Sequence, residues 1–181
     1  SRYRLRWTRP HTHRLLHSIA MSDKAAPPPT LPLLRRLVRE AVARDIEPVI
    51  IPGVSALTFA AVAAGLPVDQ FTFAGFLPVK KGKRQKAIKK MKEVAMTCFI
   101  FESPYKISKL LGEIAEYCGP ETPIAIVREA TKMFEETIRG TAGDLNEQFK
   151  DRKWKGEIVL AVDMRPPEEE KKRQDNSNVL I

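Results

Sequence analysis

Apolar positions along the chain switch between two periods. Leu34, Leu37, Val38, Ala41 and Val42 recur at helical spacing, which predicts an amphipathic helix from Leu33 to Arg44. Val49, Ile50 and Ile51 are three β-branched residues in a row, the pattern of a strand covered on both faces. Pro52 ends that run because it has no N–H for a ladder. Gly53 opens backbone angles closed to other residues and lets a ligand come close. Ser55 stands at the N-cap of an Ala-rich helix running to Ala64, with Gly65 and Pro67 as its stop.

Further on, Phe71 to Phe76 alternates as a strand. Lys80 to Lys92 carries an apolar stripe of Ala87, Ile88 and Met91 and is predicted helical after Gly82. Thr97 to Phe101 is the next strand, followed by a helix to Tyr117 with Ser103 as cap and Pro104 in its first turn. Pro123 to Val127 and Glu136 to Arg139 are two more strands. Thr141 caps a short helix through Phe149, with Asp144 in the capping-box position. Gly156 to Asp163 is the last strand. Strands alternating with helices predict an α/β fold with a largely covered sheet. The two strands that follow one another near Glu136 make part of that sheet antiparallel. The Pro-Gly turn would leave free N–H groups at the C-terminal edge of a strand, where open α/β sheets bind ligands. Taken alone, it reads first as an ordinary strand-to-helix connection.

Composition narrows the class. With 181 residues, 43% of them hydrophobic and 29% charged, the chain has the make-up of a globular protein of one large or two small domains. A net charge of +9 suits a polyanionic partner. No apolar run approaches the ~20 residues of a membrane span. Cys98 and Cys118 have neither metal nor redox spacing and are expected as buried free thiols in a reducing compartment. Residues 1–21 are Arg- and His-rich without one acid, a basic arm or, alternatively, a transit peptide. His11, His13 and His17 have no carboxylate or thiol nearby, so no metal site is expected there. Residues 25–32 are Pro-rich, a linker, and from Pro166 a charged tail begins.

The order of short pieces carries more than any one of them. Pro52-Gly53-Val54-Ser55-Ala56 is followed by Ala64-Gly65-Leu66-Pro67, Phe73-Ala74-Gly75-Phe76-Leu77-Pro78 and the Lys/Arg-rich stretch. Then come Phe101-Glu102-Ser103-Pro104-Tyr105-Lys106, Arg128-Glu129-Ala130-Thr131-Lys132, Glu135 to Thr141, and Gly156-Glu157-Ile158-Val159. From about Leu37 to Val162 this series resembles the tetrapyrrole methylase superfamily, and within it the ribosomal RNA small subunit methyltransferase I family.

The resemblance implies an enzyme that uses S-adenosylmethionine to methylate the ribose 2′-oxygen of a cytidine in 16S rRNA of the small ribosomal subunit. It also implies a homodimer with the cofactor between two α/β domains, and the cytoplasm is the default compartment. Residues 33–73 would then be a partial N-terminal domain and 74–165 a C-terminal domain with a mixed sheet. Residues 1–32 would be the arm and 166–181 the tail. Cofactor binding is carried over to Pro52, Gly53, Ser55 and Ala56, to the strand end at Glu102, and to Ala130 and Thr131.

The chain also departs from the family. The N-terminal glycine-rich loop resembling Gly-Thr-Pro-Ile-Gly-Asn has no counterpart. Met21-Ser22-Asp23 opens like the second such loop, but Lys24 to Arg36 is Pro-rich and without glycine. An altered reading frame across this interval would explain it, and the encoding DNA tests that. Such loops supply N–H groups and close backbone approach, so the chain is expected to bind cofactor poorly or not at all.

Methyl transfer to a 2′-hydroxyl needs alignment and removal of a proton. Glu102 and Glu129 are the candidate bases by position. The structural alternatives are that Glu102 only orients the cofactor and that Glu129 pairs with Arg128 or Lys132. Lys80 to Lys92 holds eight Lys or Arg and no acid. Lys80, Lys81, Lys83, Arg84 and Lys86 would meet rRNA phosphates, with a solvated helix face as the bland alternative. Arg139 would touch RNA or hold its turn, and Phe71, Phe73 and Phe76 are expected in the core. Two other readings are a corrin, porphyrin or diphthine-type methylase of the same superfamily and a basic RNA-binding module without catalysis.

Overall fold

The computed structural model describes residues 31–49, 51 and 53–166. Two compact units emerge, residues 1–52 and 53–181. In the first, α1 spans Leu31–Val42, and the turn after it holds a left-handed Asp45 at φ 55°. The predicted strand at Val49 does not form. Val49 and Ile51 lie in irregular backbone, 88% and 87% exposed. β-Branched residues are buried in a strand only where a neighbouring strand receives them, and none among the described residues does so.

The second unit holds α2 (Ala56–Ala63), β1 (Phe71–Phe76), α3 (Lys81–Val94), β2 (Thr97–Glu102) and α4 (Ile107–Cys118). It continues with β3 (Pro123–Arg128), β4 (Glu136–Thr141), α5 (Ala142–Gln148) and β5 (Ile158–Asp163). These strands form one mixed sheet in the order β1-β2-β5-β3-β4. β1 and β2 are parallel, joined through α3, and every other pair is antiparallel. Residue 73, the expected domain boundary, lies inside β1.

Strand alternation sends side chains to two cores. On one face Cys98, Ile100, Ile126 and Leu160 pack under α3, α4 and α5, through Ile88, Leu111 and Leu145. On the other, Phe99, Val127, Val159 and Ala161 pack under Ala60 of α2 and its C-cap Ala64. The β1 aromatics depart from simple alternation. Gly75, at φ 62°, sits in a bulge between the Phe73–Phe99 and Phe76–Phe101 pairs. The extra residue brings Phe71, Phe73 and Phe76 to one face. Phe73 stacks edge-on with Phe101 at 4.8 Å, but Phe71 and Phe76 stay 42% and 68% exposed, outside the core they were expected to join.

Local chemistry fixes the element ends. Thr141 Oγ1 accepts from Asp144 N–H at 3.2 Å, the predicted cap of α5. Arg139 Nε donates to Ala64 O at 3.1 Å, so it holds the C-terminus of α2, where cations are favoured. The helix after β2 begins later than predicted. Ser103 to Lys106 form a turn instead, closed by Lys106 N–H to Ser103 O at 2.9 Å, and Lys106 is the N-cap. Cys98 is buried and Cys118 half-buried, both free thiols raised above the usual thiol range by burial.

Candidate functional site

Sheet register defines one edge. Glu102 ends β2 and Arg128 ends β3, and both pair with Ile158 at the start of β5. The two strand ends are therefore roughly 10 Å apart, two inter-strand spacings. The N-terminus of α2 comes to the same edge. Its C-terminus is held by Arg139, and Thr97, at the opposite end of β2, donates from Oγ1 to Pro67 O at 2.6 Å. Ala56 and Ala130 accordingly pack on the same core as Phe101.

The sequence-predicted residues divide on this edge. Gly53 and Ser55 are exposed, and a Cβ added at Gly53 would meet nothing within 4 Å. Ser55 is the N-cap of α2 but makes no side-chain capping bond, so the first turn keeps N–H groups uncapped by a side chain. Pro52 lies outside the described residues. Thr131 is exposed, with φ 64°. Small side chains and open backbone at Gly53, Ser55, Ala56 and Ala130 fit close approach by a ligand such as S-adenosylmethionine on this side.

Glu102 shares the edge but not the face. It has the same parity as Cys98 and Ile100, so its side chain turns toward α3 and α4, away from α2. The residue is 8% exposed, and its carboxylate accepts Ser103 N–H at 2.7 Å. That removes Glu102 as a base facing Ala56 and Ala130; what it offers there is backbone. Glu129 is half-buried and committed as well. Its Oε1 accepts Glu157 N–H at 2.8 Å and Lys132 Nζ at 3.1 Å. The Glu157 peptide N–H, then Lys132, hold its carboxyl below the usual range, which suits an ion-pair partner better than a proton acceptor.

The basic helix divides too. Lys80, Lys81, Lys83 and Lys86 are exposed, as expected of phosphate contacts. Arg84 is not a surface cation: it is 7% exposed. Nε and one terminal nitrogen each donate to Glu113 at 2.5 Å, and the other donates to Val79 O at 2.8 Å. The cause is helix period, since Arg84 and Ile88 share the inward face of α3. Lys92 is engaged as well, donating to Cys118 O at 3.2 Å at the end of α4.

Sequence reasoning missed Glu157 and Glu135, which bind the β3–β4 turn, and Tyr105, 93% exposed at the same edge. The one available signal was the Glu129/Lys132 charge pair. Among the described residues no cluster of ligands suits a metal, and no helix is long and apolar enough to cross a membrane.

The second unit is thus an α/β domain with a mixed five-stranded sheet and a ligand-accessible edge. The family model of Tetrapyrrole (Corrin/Porphyrin) Methylases matches residues 32–146, well over half of the chain, and the chain belongs to that family. Relatives include Ribosomal RNA small subunit methyltransferase I of Mesorhizobium japonicum, 43% identical over 146 residues, which cover 80% of this chain and 50% of that one. The protein of the same name from Coprothermobacter proteolyticus is 35% identical over 83% of this chain and 66% of its own. The chain therefore spans half to two thirds of these relatives' length. Among solved structures, diphthine synthase superposes with a TM-score of 0.59 at 16% identity, covering 84% of this chain and 64% of that one. Uroporphyrin-III C-methyl transferase from Thermus thermophilus, complexed with S-adenyl homocysteine, gives 0.53 at 14%, covering 85% and 73%. At such identities these two establish the fold alone.

Proposed function

We propose that the chain supplies one side of an S-adenosylmethionine cleft in an enzyme that methylates the 2′-oxygen of a cytidine in small-subunit ribosomal RNA. The observation that carries this reading is the convergence of the α2 N-terminus and the β2 and β3 ends on one sheet edge. The named activity of relatives up to 43% identical supports the substrate class.

Bound there, the cofactor supplies an electrophilic methyl group. The chain's own work is alignment. The first turn of α2 offers N–H groups to an anionic part of the ligand, and Ala56 and Ala130 leave room for close approach. Neither Glu102 nor Glu129 is assigned as base, because each carboxylate is already committed to the main chain. Lys80, Lys81, Lys83 and Lys86 meet RNA phosphates beside the edge. Where the second glycine-rich loop of the resemblance would stand, Lys24 to Arg36 has no glycine, so this chain holds the cofactor poorly. The intact enzyme works in the cytoplasm on the small subunit, as a homodimer.

Calorimetric titration with S-adenosylhomocysteine tests the cleft. Weak, saturable binding is the expected result, and no heat at millimolar ligand favours an RNA-binding module without catalysis. Methyl transfer to small ribosomal subunits, set against a corrin precursor, then tests the substrate. Preference for the corrin would refute the ribosomal reading.

A further inference from the structure

The β3–β5 ladder continues one rung past the strands. Beyond the Arg128–Ile158 pair, Glu129 N–H donates to Glu157 O at 2.9 Å. The return bond comes from a side chain: Glu157 N–H donates to Glu129 Oε1 at 2.8 Å. The Glu129 carbonyl is turned away and accepts Lys132 N–H at 2.9 Å, which closes a four-residue turn. Within it Glu129 has φ 50° and Thr131 φ 64°. Both angles are left-handed, and a β-branched residue resists that region most.

Such angles persist only where the surroundings over-determine them, and charged groups do so here. Lys132 Nζ bridges Glu129 Oε1 at 3.1 Å and Glu157 Oε2 at 3.0 Å. From the other side, the Glu135 carboxylate accepts Thr131 N–H at 2.7 Å. Gly156, at φ 87°, completes the arrangement, since a Cβ there would stand 2.4 Å from the Glu129 carboxyl carbon. Two separate stretches of sequence, residues 129–135 and 156–157, thus serve one reversal.

We infer that Glu129, Lys132 and Glu157 form a latch that holds the Glu129–Thr131 turn, left-handed at Glu129 and Thr131, in shape to receive the methyl donor. Glu129 and Lys132 are positioning residues, not proton carriers. The identity of the ligand rests on the cofactor reading above; the latch rests on the contacts alone.

Amide hydrogen exchange on the full chain without ligand tests the latch. In Glu129→Gln and Lys132→Met, the Thr131 and Glu157 amides are expected to lose protection by about tenfold or more, the scale of one charge-assisted hydrogen bond. Ile126 and Leu160, in mid-sheet, report that the fold is intact. Unchanged protection at Thr131 and Glu157 overturns the latch. Titration with S-adenosylhomocysteine tests the positioning role. Lys132→Met should weaken binding by about tenfold and Lys132→Arg should restore it, whereas equal affinity in Lys132→Met and the original chain overturns that role. If the original chain binds nothing, the ligand assignment falls and exchange alone decides the latch.

Discussion

The most constrained residue away from the edge is Arg84. Its guanidinium forms a two-point pair with Glu113 and also holds the β1–α3 loop through Val79 O. Removing one member of a buried pair leaves the other charge uncompensated. Arg84→Met is expected to cost about 3 kcal/mol in denaturant unfolding, and Arg84→Met with Glu113→Leu to recover most of it. If the single variant is as stable as the original chain, the buried pair is misassigned. The partner was not legible in sequence: Arg84 sits in a run of eight cations, and Glu113 lies 29 residues away. Glu102 was legible in principle. Its parity with Cys98 and Ile100 already turned its side chain toward the helices that follow.

Glu136 carries the residue-scale pH dependence. Arg152 first, and Arg128 after it, hold its carboxyl below the usual glutamate range. Because the folded pKa is depressed, its stabilisation is complete above the unfolded value, about 4.3. It is lost as pH falls through the lower folded value. Glu136→Gln should therefore lower Tm at neutral pH and flatten its fall below about pH 4.5. Equal acid limbs for the two proteins would remove the assigned role.

At the scale of elements, the strands and helices after residue 55 follow from hydrophobic period, turn residues and caps. What period did not reveal is the bulge at Gly75, which turns an apparent alternation of three phenylalanines into a one-sided, half-open aromatic row. Nor does period reveal whether a β-branched run finds a partner strand, as Val49 and Ile51 do not among the described residues. Helix α3 splits by the same rule that hides Arg84: its outer lysines remain available. Reversing Lys81, Lys83 and Lys86 to Glu should make the salt dependence of rRNA binding shallower by about 2 to 3 in logarithmic slope, near one for each phosphate no longer neutralised. An unchanged slope would leave these lysines as a solvated face.

For the molecule as a whole, the proposed function depends on distant reversals converging on one sheet edge, where they would frame a pocket for a methyl donor. Most of the family pieces pointed there, because they fall at a strand end or helix start, whereas Ala64-Gly65-Leu66-Pro67 follows the far end of α2. Their faces emerge only from the register that pairs both Glu102 and Arg128 with Ile158. Weak binding does not hide such a site from backbone chemical-shift mapping with S-adenosylhomocysteine. The predicted result is a set of perturbed amides confined to Gly53 to Leu57, Phe101 to Ser103 and Glu129 to Lys132. Perturbations at the opposite edge, around Thr97 and Ile124, or scattered over the sheet would contradict the account.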